Sequence, residues 1–288
     1  MKAAGIAHER AGEGEPLLLL HGTGGSRRHW APVQPKLAAH YELIAVDLPG
    51  HGDSDPPPDD GDHTPVGYAA RLAGFLDELG IHAAHIAGDS VGGWTALEMA
   101  KLGRARSVVA FAPAGLWSRR DPWRCSLKLW GMYRLGHLMA PLTDRALRSE
   151  AGRTRLLRGT VAKPLNLSPQ EARDLIETYN STATFRKHLA QTRRARFRDG
   201  TSIRVPVTVA WGDDEQLIPA KARRQDELPP HTNAVMLSGC GHVPFWDDPE
   251  QVARTILETT SGGGLRHAAV VHDTHLRANR RGGEPFDA

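Results

Sequence analysis

Apolar residues along this chain fall into two alternating patterns. Short runs at 17–20, 43–46, 83–87 and 108–112 read as buried strands. Between them, 30–39, 65–79 and 91–101 have the length and apolar spacing of helices, with Gly80 and Gly103 placed as stops. Each strand therefore returns through a crossover helix, which predicts a largely parallel sheet with helices on its faces. The alternation resumes with a strand at 205–211, a helix at 220–228, a strand at 234–237 and a helix from 249 to about 259.

Between about 116 and 200 the pattern changes to Arg-rich amphipathic stretches with scattered Trp, Met and Tyr and no buried strand. This reads as a helical insertion over the sheet. Its Trp117, Trp123, Trp130 and Met132 are candidates for lining a pocket, although such residues in helices more often pack against the core. After Ser261 the chain runs through Gly262, Gly263 and Gly264 into a polar, basic stretch too poor in large apolar residues to bury much. The expected organisation is a core of 1–115 and 201–260, a helical lid of 116–200, and a disordered tail over 261–288.

A length of 288 residues with 40% hydrophobic content supports one sizeable core. With 36 Lys and Arg against 33 Asp and Glu, the net charge of +3 gives no electrostatic case for a nucleic-acid partner. No apolar run reaches the roughly 18 to 20 residues of a membrane span, and the N-terminus lacks a basic region followed by an apolar signal stretch. A cytoplasmic location and no membrane partner are expected. Cys125 and Cys240 cannot build a disulfide framework or a four-cysteine metal site, and are expected as buried thiols. No His, Cys and carboxylate cluster has ligand spacing, so neither metal nor cofactor is expected. The expected partner is a small-molecule substrate; homodimerisation is left open.

Candidate chemistry begins at Gly88-Asp89-Ser90-Val91-Gly92-Gly93, which follows a predicted strand and opens a predicted helix. That context gives the G-x-S-x-G pattern its meaning. A sharp strand-to-helix turn strains the serine backbone, excludes side chains at its neighbours and leaves the hydroxyl at the carboxyl end of the sheet. His21-Gly22-Thr23-Gly24-Gly25 ends the strongest apolar run, where its backbone amides can meet an oxyanion. Thr23 and Val91 are the assigned donors, with Gly24 the substitute for Thr23. Of the 15 histidines, His242 in Gly239-Cys240-Gly241-His242 lies on a loop after a strand and before the last helix, the place for a general base to Ser90. His21 more plausibly supports its own turn, and His29, His51, His63, His137 and His188 read as solvated or packing residues. The orienting acid is expected after the 205–211 strand, where Asp213, Asp214 and Glu215 all qualify.

These motifs, together with Asp47-Leu48-Pro49-Gly50-His51-Gly52-Asp53-Ser54, resemble the α/β-hydrolase fold superfamily over about residues 4 to 260. The resemblance implies that the Asp47 loop is structural and that the insertion is a lid. It also supplies a G-x-x-D-x-x-x-P register, and Gly212 with Pro219 places Glu215 at the acid position, with Asp214 as the alternative. Serine at the elbow argues against branches that use Asp there to form an alkyl-enzyme ester. Asp89 stands where the branch cleaving carbon–carbon bonds typically has Asn. The expected function is therefore a serine hydrolase acting on an ester, thioester or related acyl bond through Ser90, His242 and Glu215. Carbon–carbon bond hydrolysis and a pathway-specific cyclase or lyase are the alternatives, and a non-catalytic binding protein is a weaker one. Arg119 with Arg120, or Arg193, Arg194, Arg196 and Arg198, are candidates for meeting an anionic substrate, though a solvated face is the ordinary fate of such runs.

Overall fold

In the computed structural model, which describes residues 1–117 and 121–262, eight strands form one sheet. In chain order the elements are β1 (Lys2–Ala3), β2 (Ile6–Ala11), β3 (Glu15–Leu20), α1 (Gln34–Leu37), β4 (Tyr41–Val46), α2 (Pro65–Glu78), β5 (Ala84–Asp89), α3 (Val91–Lys101) and β6 (Ala105–Phe111). Then come α4 (Pro122–Leu147), α5 (Glu150–Leu157), α6 (Pro169–Ser181), α7 (Phe185–Thr192), β7 (Val207–Gly212), β8 (Asn233–Leu237) and α8 (Pro249–Thr260). The sheet order is β1-β2-β4-β3-β5-β6-β7-β8. From β4 to β8 neighbours are parallel, while β1 and β2 add an antiparallel edge. This is an α/β-hydrolase fold.

The period-two geometry of strands divides the core. Leu18 and Leu20 of β3 pack with Tyr68, Leu72 and Phe75 of α2 and Trp94 of α3, whereas Leu17 and Leu19 pack with Trp30, Leu37 of α1 and Ile256 of α8. A strand apolar on every residue is thus buried on both faces. The four helices α4 to α7 all lie between β6 and β7 in the chain, and α4 packs along α5 and α6. A capping box in which Ser168 and Glu171 exchange backbone and side-chain hydrogen bonds starts α6.

Several expectations change. The helix predicted over 30–39 contracts to a 3-10 turn at Arg27–Trp30 followed by the four-residue α1, because Pro32 and Pro35 cannot donate within a continuous helix. The helix predicted at 220–228 is only a 3-10 turn, Ala220–Ala222. There the Arg224 amide donates to the Leu116 carbonyl at 3.0 Å, tying the segment to the loop after β6 in place of its own preceding turn. Trp117 is buried against Trp94 and lines the crevice that also holds Ser90, Met132 lines a second cavity beside Ser90, and Trp123 and Trp130 line a groove on the outside of α4. Cys125 and Cys240 are buried free thiols. Arg119, Arg120 and the expected tail beyond Gly262 lie outside the described residues.

Candidate active site

The sheet delivers its candidate residues at the carboxyl ends of its parallel strands: Thr23 after β3, Ser90 after β5, Glu215 after β7 and His242 after β8. Ser90 occupies the turn between β5 and α3 with φ of 53° and ψ of −112°, a strained conformation for a residue with a Cβ. Its neighbours must be glycine because backbone comes too close. A Cβ on Gly92 would lie 2.5 Å from the carbonyl oxygens of Leu20 and His21, and one on Gly88 would lie 2.3 Å from that of Gly92.

Val91 is the first residue of α3, so its amide has no acceptor inside the helix, and the Thr23 amide likewise has no acceptor among the described residues. Thr23, Ser90 and Val91 line one crevice. The turn that carries Thr23 is held by His21: its Nδ1 donates to the Gly22 carbonyl at 2.7 Å, and its Nε2 accepts from the Leu48 amide at 2.9 Å. The Asp47 loop is anchored in turn, since Asp47 accepts from the amides of Arg27 at 2.7 Å and Asp53 at 2.9 Å and pairs with the Arg27 guanidinium.

His242 is buried, and its Nδ1 donates to Glu215 Oε2 at 2.6 Å. The other oxygen, Glu215 Oε1, accepts from the amides of Leu217 at 2.6 Å and Ile218 at 3.0 Å, which fixes the carboxylate. Burial works to raise the Glu215 pKa, but the charge and hydrogen bond of His242 and these two amides together hold it below the ordinary value. Burial likewise works to lower the His242 pKa, yet the adjacent Glu215 carboxylate, helped by Asp89, raises it above 6.5. The other acids point elsewhere: Asp213 Oδ1 accepts from the Gly239 and Cys240 amides at 2.8 and 3.3 Å, and Asp214 meets Gln216 at 3.0 Å. Asp247 braces the histidine loop through the Gly241 amide at 2.8 Å.

Ser90 and His242 share the wall of one cavity of about 150 Å³. Ser90 Oγ makes no hydrogen bond among the described residues, so its hydroxyl is unspent. Apolar side chains of α4 to α6 supply most of the remaining wall, among them Leu129, Met132, Met139, Leu157, Leu175 and Ile176. No Lys or Arg lines it among the described residues. Arg193 stacks on Trp123 and lines the adjoining crevice that also holds Ser90, whereas Arg198 pairs with Glu227 on the surface. Asp89 is in the wall, fully buried, with Oδ1 unpartnered; burial pushes its pKa up to about 7, opposed by His242 and reinforced by Glu215.

Three contributors to this region were not evident from the sequence. His188 of α7 reaches the Thr23 hydroxyl with Nε2 at 3.1 Å, while its Nδ1 lies 2.9 Å from the His63 carbonyl and 3.1 Å from the Tyr68 hydroxyl. His29 and Asn180 stand in the cavity wall. The Thr23 to His188 contact spans 165 positions, and no local pattern marks either end of it. No group of three or more His, Cys, Asp or Glu among the described residues could hold a metal ion, and no helix among them is long and apolar enough to cross a membrane.

A model of the alpha/beta hydrolase family matches residues 17–255. A dihydrolipoyllysine-residue acetyltransferase component of an acetoin cleaving system from Pseudomonas putida is 30% identical over 261 residues, which cover 86% of this chain and 64% of that protein. The chain thus spans less than two thirds of that relative's length. A 2-hydroxy-6-oxononadienedioate/2-hydroxy-6-oxononatrienedioate hydrolase from Cupriavidus pinatubonensis is 28% identical over 275 residues, covering 85% of this chain and 86% of that one. Among solved structures, a meta-cleavage product hydrolase from Pseudomonas fluorescens IP01 superposes with a TM-score of 0.71 at 21% identity, over 91% of this chain and 96% of its own.

Proposed function

Since the chain belongs to the alpha/beta hydrolase family, we propose that it hydrolyses an ester, thioester or related acyl bond of a small organic molecule, with Ser90 as nucleophile, His242 as general base and Glu215 as the acid that orients it. The carrying observation is the Glu215 to His242 pair at 2.6 Å in a wall shared with a serine on a strained turn. On this reading Ser90 Oγ bonds to the acyl carbon while His242 Nε2 takes its proton. The carbonyl electrons move onto oxygen, between the Thr23 and Val91 amides. Collapse of this adduct breaks the bond to the leaving alcohol or thiol, which takes the proton from His242. Water then attacks the acyl-enzyme, passes a proton to the same nitrogen, and the acid departs as Ser90 regains its own. Helices α4 to α7 serve as the lid.

Similarity to the dioate hydrolase makes carbon–carbon bond cleavage the second reading. Against it stands the charge of the wall. A dioate brings two carboxylates, and burying one without a cation is strongly unfavourable; among the described residues this cavity offers no Lys or Arg and one acid, Asp89, and the adjoining crevice at Ser90 offers Arg193, which is already stacked on Trp123.

The test is Ser90→Ala assayed on p-nitrophenyl butyrate, with thermal melting as the check on folding. Turnover is expected to fall by several orders of magnitude at an unchanged melting temperature, and a fluorophosphonate is expected to label the parent protein at Ser90 alone. Full activity in the variant would remove the reading.

A further inference from the structure

The polar groups of the cavity wall divide by whether they are already used. Tyr179 donates its hydroxyl to the Leu129 carbonyl at 2.8 Å, Thr143 to Met139 at 3.0 Å, and Thr160 to Leu157 at 3.1 Å. Each of these side chains is spent on the backbone of α4 to α6 or the turn after α5, and presents its apolar part to the space. Asn180 differs. Its Oδ1 is buried without a partner, beside Gly136 of α4, in a wall to which Leu135, Met139, Leu175 and Ile176 also contribute; the wall's other unpartnered side-chain atoms among the described residues are His29 Nε2 and Asp89 Oδ1. An amide oxygen left so is unfavourable unless something that enters the cavity donates to it.

Size and charge narrow the ligand further. A volume of about 150 Å³ is that of a cavity known to accept benzene, so about six carbons fill it. Among the described residues the wall of this cavity carries no Lys or Arg, Arg193 lining instead the adjoining crevice that also holds Ser90, and the Asp89 carboxyl repels a carboxylate whenever it is ionised. The chain of the substrate must therefore be neutral and apolar along most of its length, with one hydrogen-bond donor.

Resting on the serine-hydrolase reading above, we propose that the substrate is a neutral ester whose unbranched acyl chain of about six carbons lies between α4 and α6 and carries one hydroxyl or amide N–H that donates to Asn180. Asn180 is then a specificity-determining residue, set apart from the reacting atoms.

The test measures kcat/KM of the full chain on ethyl esters from acetate to decanoate, on monoethyl adipate, and on ethyl hexanoates hydroxylated at successive carbons, each with the parent protein and with Asn180→Leu. Between acetate and hexanoate the value is expected to rise about fourfold per methylene, the fold-change equivalent to burying one methylene, and then to level or fall. Monoethyl adipate is expected to be about 100-fold poorer than ethyl hexanoate. One hydroxylated hexanoate is expected to exceed ethyl hexanoate by about tenfold. Asn180→Leu should erase that gain, bringing the ratio of the hydroxylated to the plain hexanoate down to about one. Fluorophosphonate labelling of Ser90 in the same samples reports folding and the nucleophile. Loss of labelling in the parent sinks both readings. Intact labelling with a flat length profile, a preference for the adipate monoester, or an unchanged ranking in Asn180→Leu overturns the substrate assignment and leaves the nucleophile standing.

Discussion

Glu215 is one methylene longer than the Asp usual at its position, and the local chain uses that length. With Oε1 held by two amides of the turn that follows, Oε2 is left to meet His242 Nδ1 in line. Although burial disfavours its charge, His242 and the two amides keep Glu215 ionised, and the carboxylate keeps the imidazole proton on Nδ1, leaving Nε2 free to accept. Glu215→Gln preserves the shape and removes the charge. Its kcat is expected to drop by about 10³ to 10⁴, whereas Asp214→Asn, which touches only Gln216, is expected to stay within about twofold. Parallel kinetics on one ester decide this, and a loss confined to Asp214→Asn would move the acid to Asp214. The pH profile follows the same charge. Because Glu215 raises the His242 pKa, the rising acid limb of kcat/KM should lie above pH 6.5 and shift lower in the residual activity of Glu215→Gln. Ser90 and His242 were legible in the sequence because glycines and strand ends frame them. The choice among three adjacent acids needed the spacing from Gly212 to Pro219, since side-chain direction in a loop has no period to read. Asn180 and His188 were illegible, their partners lying far along the chain.

At the scale of elements, the candidate oxyanion turn after β3 depends on a helix from the other half of the chain. His188 of α7 donates from Nδ1 to the His63 carbonyl and accepts the Thr23 hydroxyl at Nε2, so it joins α7, the segment before α2 and the turn of Thr23. It is also stacked on Tyr68 with an interplanar angle of 11°. His188→Ala would leave three polar groups short of a partner and open a void, a loss of about 2 to 4 kcal/mol in stability. A looser Thr23 turn should lower kcat by about tenfold, with KM little changed. A double-mutant cycle with Thr23→Val is the check, and additive losses would show the two side chains to be independent. Elements differ in legibility for a related reason. Strands β3 to β6 and helices α2, α3 and α8 announce themselves because burial on one or both faces dictates their apolar pattern. Strand β2 does not, since its first three residues are buried and its last three exposed, and the edge it forms needs no apolar run. The 220–228 segment has helical spacing, but its tie to Leu116 prevails over local propensity.

Across the whole molecule, the most consequential arrangement is a run of neutral imidazoles beneath the candidate site. His21, His51 and His188 are buried, with ring centroids 5.3 Å apart for the first pair and 5.7 Å for the second. Burial holds His21 down to about 3 and His188 to about 4, and holds His51 well below 6.5. The bonding at His21 explains why protonation is incompatible with this fold: a proton on Nε2 would face the Leu48 amide, donor against donor. In the unfolded chain these rings bind protons near pH 6.5, while in the folded protein they do not, so stability rises with pH across the interval and is lost as pH falls below 6.5. Each such ring contributes a slope of about 1.4 kcal/mol per pH unit there. Asp89, raised to about 7, and His242, raised above 6.5, act in the opposite sense, but the neutral histidines outnumber them. The melting temperature should therefore fall steadily from pH 7 to pH 5. His51→Phe keeps a ring of similar size between His21 and His188 and loses only the contact to the Pro49 carbonyl. Its melting temperature should decline less steeply over the same interval, by about one proton's worth of slope, and a decline parallel to that of the parent would mean that His51 already carries its proton in the folded state.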